Sequence, residues 1–248
     1  MKKINLRYQI SLFGNYDEIV PNSENVKFFV ENYADKGMIP YQTQEVSIDM
    51  ASKEPNTKTS QRLSLTDSER KWDIKFNSDR IDIVFVNSNI GVTEMISKEN
   101  FLQEVIVFLE KINVKFKNPH KRVGFVSQYL FDSADISKSS KLFLDSINYF
   151  DEKSILEWSS RIATRAKIEY NNGKDELINV SSESRWINQP MTMNNGFALF
   201  QGIALNIDVN TLHENPNYRF QFEDLKSLFG EISKIEEIIA TQNIQKIG

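Results

Sequence analysis

The chain has no cysteine, and this absence excludes several kinds of functional site at once. Disulfide bonds, cysteine nucleophiles and cysteine-ligated zinc all need the missing thiol. Histidine is nearly as scarce, because His120 and His213 are the two copies in 248 residues. Neither belongs to a His-x-x-x-His motif or a serine–histidine pattern, so we interpret both as loop residues rather than as general bases. We therefore expect no metal site, and the lack of cysteine favours a reducing, cytoplasmic location.

Phosphate-binding loops, membrane segments and an excess of positive charge are missing too. The nine glycines are scattered, and neither Gly-x-x-x-x-Gly-Lys nor Gly-x-Gly-x-x-Gly occurs, so no cofactor is expected. No run approaches the roughly 18 consecutive apolar residues of a membrane helix, and no signal-peptide pattern is present. The formal net charge of −4 argues against non-specific nucleic-acid binding, which needs a basic surface.

Alternation of apolar and polar residues is the dominant pattern that is present. It is clearest in three successive segments, Arg161–Tyr170, Glu176–Ile187 and Phe197–Val209. A period of two predicts strands with one buried and one wetted face. The intervening Asn171-Asn172-Gly173-Lys174 favours the positive φ angles of a hairpin turn. We expect these segments to form a three-stranded meander.

The rest of the chain adds further strands and four amphipathic helices. In residues 3–13 the apolar side chains Ile4, Leu6, Tyr8, Ile10 and Leu12 alternate with polar neighbours, which predicts a first strand. Further predicted strands are Gln44–Met50, Arg62–Thr66, Lys71–Asn77, Arg80–Asn87 and Arg122–Phe131. Helical spacing and capping residues predict helices that begin near Asn22 or Ser23 and near Ser97, and helices over 139–148 and Phe222–Thr241.

The order of these elements repeats along the chain. A strand, a helix, three or four strands and a long helix are followed by the same series. We therefore predict an α+β fold of antiparallel sheets packed by helices, built as a pseudo-duplicated unit. The predicted halves are residues 1–118 and 119–248, packed together as one globular unit.

Asp73-Ile74-Lys75 is the one candidate for catalysis. An acidic residue two positions before a lysine in a strand matches half of a metal-dependent nuclease site, and Asp49 or Asp67 could supply the upstream acid. The same pattern recurs at Glu69–Lys71 and 151–153, so we favour a solvated strand face. Catalysis by Asp73 and Lys75 stays the weaker alternative.

A basic strand face is the second candidate site. Arg161, Arg165 and Lys167 alternate on one side of a predicted strand, and Arg185 and Trp186 follow on the next. Arginine beside an aromatic ring on an open sheet can bind single-stranded nucleic acid, and it can equally bind a protein partner. Interleaved glutamates and the acidic net charge favour an ordinary outward face. These five residues are our candidates for nucleic-acid or partner binding.

Several stretches together resemble a known bacterial protein family. They are 19–26, 37–40 and 44–46, then Arg122–Phe125 with Tyr129, and Ile203–Val209. They resemble a sporadically distributed, uncharacterised family of bacterial proteins of similar length. Its patchy distribution implies accessory genes such as phage-defence or toxin–antitoxin loci. The element order also resembles duplicated folds like that of the TATA-binding protein.

We expect a non-enzymatic, cytoplasmic subunit of such a system. Its partner would be a protein encoded nearby or a second copy of the chain, and the long C-terminal apolar stripe could contribute to that contact. The alternative is a nucleic-acid-binding or metal-dependent nuclease subunit. A small-ligand sensor that uses space between sheet and helix is the third class.

Overall fold

The computed structural model describes residues 2–49, 56–132, 140, 155–171 and 173–247. Within them, the strands are β1 (Lys3–Phe13), β2 (Met38–Asp49), β3 (Asn56–Asp67), β4 (Trp72–Phe76), β5 (Arg80–Val86), β6 (Arg122–Asp132), β7 (Ser159–Tyr170), β8 (Lys174–Met193) and β9 (Gly196–Thr211). The helices are α1 (Ser23–Tyr33), α2 (Lys98–Phe116) and α3 (Phe222–Ile247). The predicted helix over 139–148 lies almost wholly outside the described residues.

The nine strands form one sheet in the order β2-β3-β4-β5-β1-β6-β9-β8-β7, and each paired strand runs antiparallel to its neighbour. The α+β prediction is therefore confirmed in its general form, with one sheet where we expected sheets in the plural. The central pair is β1 with β6. Because β1 lies in residues 1–118 and β6 in 119–248, the sheet runs through both predicted halves.

All three helices pack on the same face of this sheet and share one core with it. Phe29 and Tyr33 of α1, Phe108 of α2 and Leu228 of α3 belong to the same buried cluster as alternate residues of the strands. The Tyr33 ring stacks on Phe108 with centroids 4.3 Å apart, and its hydroxyl donates to the Phe108 carbonyl oxygen at 2.8 Å. Burying each such side chain contributes about 1.5–3 kcal/mol.

The helix ends follow the predicted capping chemistry. The Asn22 side chain accepts a hydrogen bond from the Asn25 backbone N–H at 2.8 Å and caps α1. Ser97 accepts from the Asn100 N–H at 3.1 Å and caps α2. A short 3-10 turn follows α1, and Gly37 closes it with a left-handed φ of 69°. A side-chain oxygen at the first turn satisfies an N–H that the helix itself leaves unpaired.

The first strand departs from its sequence pattern at Leu6. The pairing with β6 steps from Asn5 opposite Tyr129 to Arg7 opposite Gln128, so Leu6 is the extra residue of a β-bulge. Tyr8, Ile10 and Leu12 face the helices, whereas Ile4 and Leu6 pack in a second cluster on the opposite face. Simple alternation from Ile4 to Leu12 is therefore wrong, because the bulge shifts the alternation by one residue.

The hairpin of β8 and β9 is longer than the sequence pattern indicated. We predicted strands ending at Ile187 and beginning at Phe197, but pairing continues to Met193 opposite Gly196. Asn194 and Asn195 make the turn with φ angles of 49° and 64°, as a tight hairpin with two left-handed residues requires. The tip of the hairpin reaches Ile90, whose N–H donates to the Thr192 carbonyl oxygen at 3.0 Å.

Candidate functional site

The face of the sheet opposite the helices is called the open face below. Alternate residues of each strand point to opposite faces of the sheet. The residues of the open face are therefore those that do not point into the core with α1, α2 and α3. One cross-strand row shows its character, because each member lies directly opposite the next on the neighbouring strand. From β3 to β7 the row is Ser64, Lys75, Asp82, Ser11, Gly124, Asn210, Asn179 and Arg165.

Four of the five predicted binding residues lie on the open face. Arg161 and Arg165 pair with Glu183 and Asn179 across β7 and β8, Lys167 follows two residues on, and Arg185 lies opposite Ser159. Two of the four cations are engaged locally. Arg165 bonds with Glu214 and donates to Asn179 Oδ1 at 3.1 Å, while Lys167 lies 2.6 Å from Asp175.

Arg161 and Arg185 differ from the other two cations. Both side chains are exposed. In the part of the chain that the structure describes, neither guanidinium has an ion-pair or hydrogen-bond partner. Trp186 does not share their face. It is half buried against the core on the helix side, next to Ile203 on β9. Arg185 and Trp186 therefore do not share one sheet face, because consecutive residues of a strand point to opposite faces, although both line a cavity of about 490 Å³ at this end of β8.

An arginine–phenylalanine–arginine row crosses the centre of the open face. Phe13 at the end of β1 lies opposite Arg80 on β5 and Arg122 on β6. The guanidinium carbons lie 5.6 and 4.6 Å from the ring centroid, within the range of a cation–π contact. Burial lowers the pKa of Arg122 below its usual value; nearby Asp208 opposes this shift, and Arg80 adds to it. The three residues are distant in sequence, and no local pattern pointed to them.

Asp82 fixes the polar centre of the same face. Its Oδ1 accepts a hydrogen bond from the Ser11 hydroxyl at 2.6 Å and another from Gln9 Nε2 at 3.1 Å. Its Oδ2 lies 2.8 Å from Arg80 Nε. Ser11 and Asp82 are both buried. Three polar groups thus surround the Asp82 carboxylate and offset the cost of burying its charge. The side chains in this part of the open face are therefore held in place by one another.

The residues of the nuclease alternative are also on the open face, but they are paired with each other. Asp73 Oδ2 lies 3.2 Å from Lys75 Nζ, and its Oδ1 accepts from the Tyr41 hydroxyl at 2.9 Å. Burial and then Asp73 raise the pKa of Tyr41 to about 12. Asp67 accepts from the Trp72 N–H at 2.8 Å. Among the described residues, no group of three or more acidic or histidine residues is placed to hold a metal ion.

Asp49 is far from Asp73. Asp73 lies opposite Thr66 on β3, and Thr66 lies opposite Ile39 on β2. Asp49 follows Ile39 by about ten residues along the same strand, or roughly 33 Å at the usual rise of a strand. The structure therefore does not bring Asp49 to Asp73 as the upstream acid.

His120 is not the loop residue that we expected, whereas His213 is. His120 is buried, its backbone pairs with Phe220 in both directions, and its Nδ1 lies 2.6 Å from the Tyr16 hydroxyl. Burial lowers its pKa to about 4. His213 is exposed, with Nδ1 3.3 Å from Glu214. The neutral His120 ring serves the packing between β6 and the segment that precedes α3.

The open face also contains a pocket of about 190 Å³. Its floor is apolar, formed by the bulged Leu6 together with Leu130, Ile187 and Ala204, which belong to the second cluster. Its rim is polar and includes Glu183 and Arg185. A wider cavity of about 490 Å³ adjoins it and shares four lining residues with it, namely Glu183, Arg185, Ile187 and Gln189.

Comparisons with known proteins leave this surface as the main evidence on function. No protein-family model matches the chain, and no curated protein matches it. None of the described helices combines the length and the apolar character needed to cross a bilayer.

Proposed function

We propose that the chain is a non-enzymatic binding subunit that docks a protein partner on the open face of its sheet. The observation that carries this proposal is the division between the two faces. The described helices cover one face, and the other presents side chains of both charge signs on strands across the sheet. A sheet needs only one buried face for stability, and none of the described helices covers the second, which favours a binding role for it.

The mixture of charges favours a protein over a nucleic acid. Along the open face, Arg161 lies opposite Glu183, and Lys75 lies opposite Asp82. Phosphate backbones need a continuous basic track, whereas protein interfaces use alternating charges to set register and partner choice. The proposed partner therefore presents its own charges of both signs.

The placement of the candidate catalytic groups supports a binding role. Asp73 and Lys75 neutralise each other, and His120 is enclosed with Tyr16. Each of these groups already has a structural partner. In a catalytic site we would expect at least one to face a cavity with its reactive atom available.

We further propose that the chain is a pseudo-duplicated unit with halves at 1–118 and 119–248. The first half runs β1, α1, β2 to β5 and α2, and the second runs β6, β7 to β9 and α3. In the sheet, β1 and β6 meet at the centre, and the last strand of each meander, β5 or β9, lies next to the strand that opens its half. Both halves thus extend outward from the centre in the same order. A cytoplasmic setting within a bacterial phage-defence or toxin–antitoxin locus fits the resemblance noted above.

Co-purification with the products of neighbouring genes tests the proposed docking face. Asp208 lies on β9 in the middle of the open face, opposite Val126 and Ser181. Asp208→Arg reverses one charge there and should weaken capture of the partner at least tenfold. Glu110→Arg makes the same exchange at an exposed position of α2 and should leave capture unchanged. Equal capture by both variants would place the partner elsewhere.

Single-stranded nucleic acid is the second candidate ligand, and the unpaired Arg161 and Arg185 favour it. Fluorescence anisotropy with a labelled RNA at two salt concentrations measures it directly, since each phosphate contact makes affinity fall with salt. If this candidate is right, Arg161→Glu lowers affinity and reduces the salt dependence. No binding at low salt would remove it.

A further inference from the structure

The open-face pocket combines an apolar floor with two opposite charges at its rim. Leu130 and Ile187 of the floor are buried, and Leu6 enters it because the β-bulge turns this side chain away from the main core. Met191, near the end of the β8–β9 hairpin, also lines the pocket. An apolar floor of this kind favours contact with an aliphatic or aromatic side chain of a ligand.

The two charges are Glu183 and Arg185, two residues apart on β8. Alternate residues of a strand share a face at a spacing of about 7 Å, so both point toward the pocket. Within the described part of the chain, neither side chain has a hydrogen-bond or ion-pair partner, and they do not pair with each other. Arg161 lies opposite Glu183 on β7 but forms no ion pair with it there. A carboxylate and a guanidinium thus stand side by side, both available to a ligand.

An amide pair completes the polar rim. Gln128 Nε2 donates to Asn206 Oδ1 at 3.2 Å, and both residues line the pocket. This bond orients the pair, so that Gln128 Oε1 stays an acceptor and Asn206 Nδ2 stays a donor. Two fixed amide groups beside two charges provide one further acceptor and one further donor for a small polar ligand.

We infer that the open-face pocket binds a free α-amino acid with an apolar side chain. The ligand carboxylate bonds with the Arg185 guanidinium, the ligand ammonium with the Glu183 carboxylate, and the side chain lies on Leu130 and Ile187. Each charged group of the ligand thus forms a charge-assisted hydrogen bond with a protein side chain that has no other partner among the described residues. The volume of about 190 Å³ is below the range for drug-sized ligands and suits a molecule of this size. The wider adjoining cavity gives access.

This inference does not depend on the proposed protein partner. The pocket occupies one end of the open face, and an amino acid there could act with or without a docked protein. A titration with purified protein reports on the pocket alone, whereas co-purification reports on the partner. Failure of one therefore leaves the other standing.

Isothermal titration calorimetry of the purified full chain tests the inference. The probes are leucine, isoleucine, valine, methionine and phenylalanine, with serine as the polar comparison. Leucinamide lacks the carboxylate and 4-methylpentanoate lacks the ammonium. At least one apolar amino acid should bind with a dissociation constant of roughly millimolar or tighter. Serine, and the amide and the deaminated acid that correspond to the bound amino acid, should each bind at least tenfold more weakly.

Three variants assign the contacts. Arg185→Gln and Glu183→Gln should each weaken binding of the amino acid at least tenfold. In the Arg185→Gln variant the affinities for the amino acid and for its amide should be much closer to each other, because the contact with the ligand carboxylate is missing. Lys226→Gln removes an exposed cation of α3 that does not line the pocket and should leave binding unchanged. Absence of binding by all five apolar amino acids, or equal binding by the Arg185→Gln and wild-type chains, would overturn the inference.

Discussion

Lys98 of α2 and Glu236 of α3 form an ion pair of 2.9 Å whose side chains are 9% and 1% exposed. The second oxygen of Glu236 accepts from the hydroxyls of Ser127 and Tyr129, each at 2.6 Å. Burial and the nearby Glu236 raise the pKa of Tyr129 above its usual value, so this hydroxyl remains a donor. The carboxylate thereby connects two helices to the centre of the sheet. It lies on the helix-covered face, directly behind the open face.

Lys98→Met should destabilise the fold by about 3–5 kcal/mol, because it leaves a buried carboxylate without its countercharge. Urea unfolding followed by circular dichroism measures this change. The double variant Lys98→Met with Glu236→Leu should recover part of the loss, since it removes both charges. A loss below about 1 kcal/mol for Lys98→Met would show that the pair is not effectively buried.

Acid should destabilise the protein through His120. Its pKa in the folded chain is about 4, below the unfolded value of about 6.5. The unfolded chain therefore takes up the proton first, and stability falls as pH decreases below about 6.5. From pH 7.5 to pH 5 this single group should cost about 2 kcal/mol of unfolding free energy.

Unfolding titrations at the two pH values measure that slope. His120→Gln should remove most of it, whatever its effect on stability at pH 7.5. His213→Gln changes the exposed histidine and should keep the slope. An unchanged slope in His120→Gln would mean that other groups cause the acid sensitivity.

The hairpin turn at Asn194 and Asn195 should control how firmly the tip contacts the rest of the chain. Asn195 has a φ of 64°, which a β-branched residue adopts at a cost of about 1–2 kcal/mol. Asn195→Val should therefore raise hydrogen exchange at the Ile90 amide, which bonds to the tip. Asn195→Gly accepts this φ and should keep the amide protected. Equal protection in all three chains would show that the tip is held without the turn.

The sequence patterns were sufficient for most elements because each strand and helix buries one regular face. The alternation from Arg161 to Val209 and the capping by Asn22 and Ser97 are local signals, and they located their elements, although β8 extends to Met193 and not only to Ile187. The bulge at Leu6 is not such a signal, since it depends on pairing with β6. Asn194-Asn195-Gly196 is a local turn signal, and it could have extended the predicted hairpin.

The site was less accessible from sequence than the fold. Arg161, Arg165, Lys167 and Arg185 share a face because strand alternation fixes it, whereas Trp186 cannot share that face. The contact of Phe13 with Arg80 and Arg122 joins three strands that are far apart in the chain. The pocket needs both the bulge and the long hairpin, so it follows from the tertiary structure alone.

The proposal that this chain is a binding subunit is tested most directly by its mass in solution. Light scattering should be measured on the chain alone and after co-expression with the products of neighbouring genes. We predict a stable complex in the second sample, heavier than the 28.8 kDa chain and containing a second polypeptide, which Asp208→Arg dissociates and Glu110→Arg does not. A mass of 28.8 kDa in both samples would contradict the proposal.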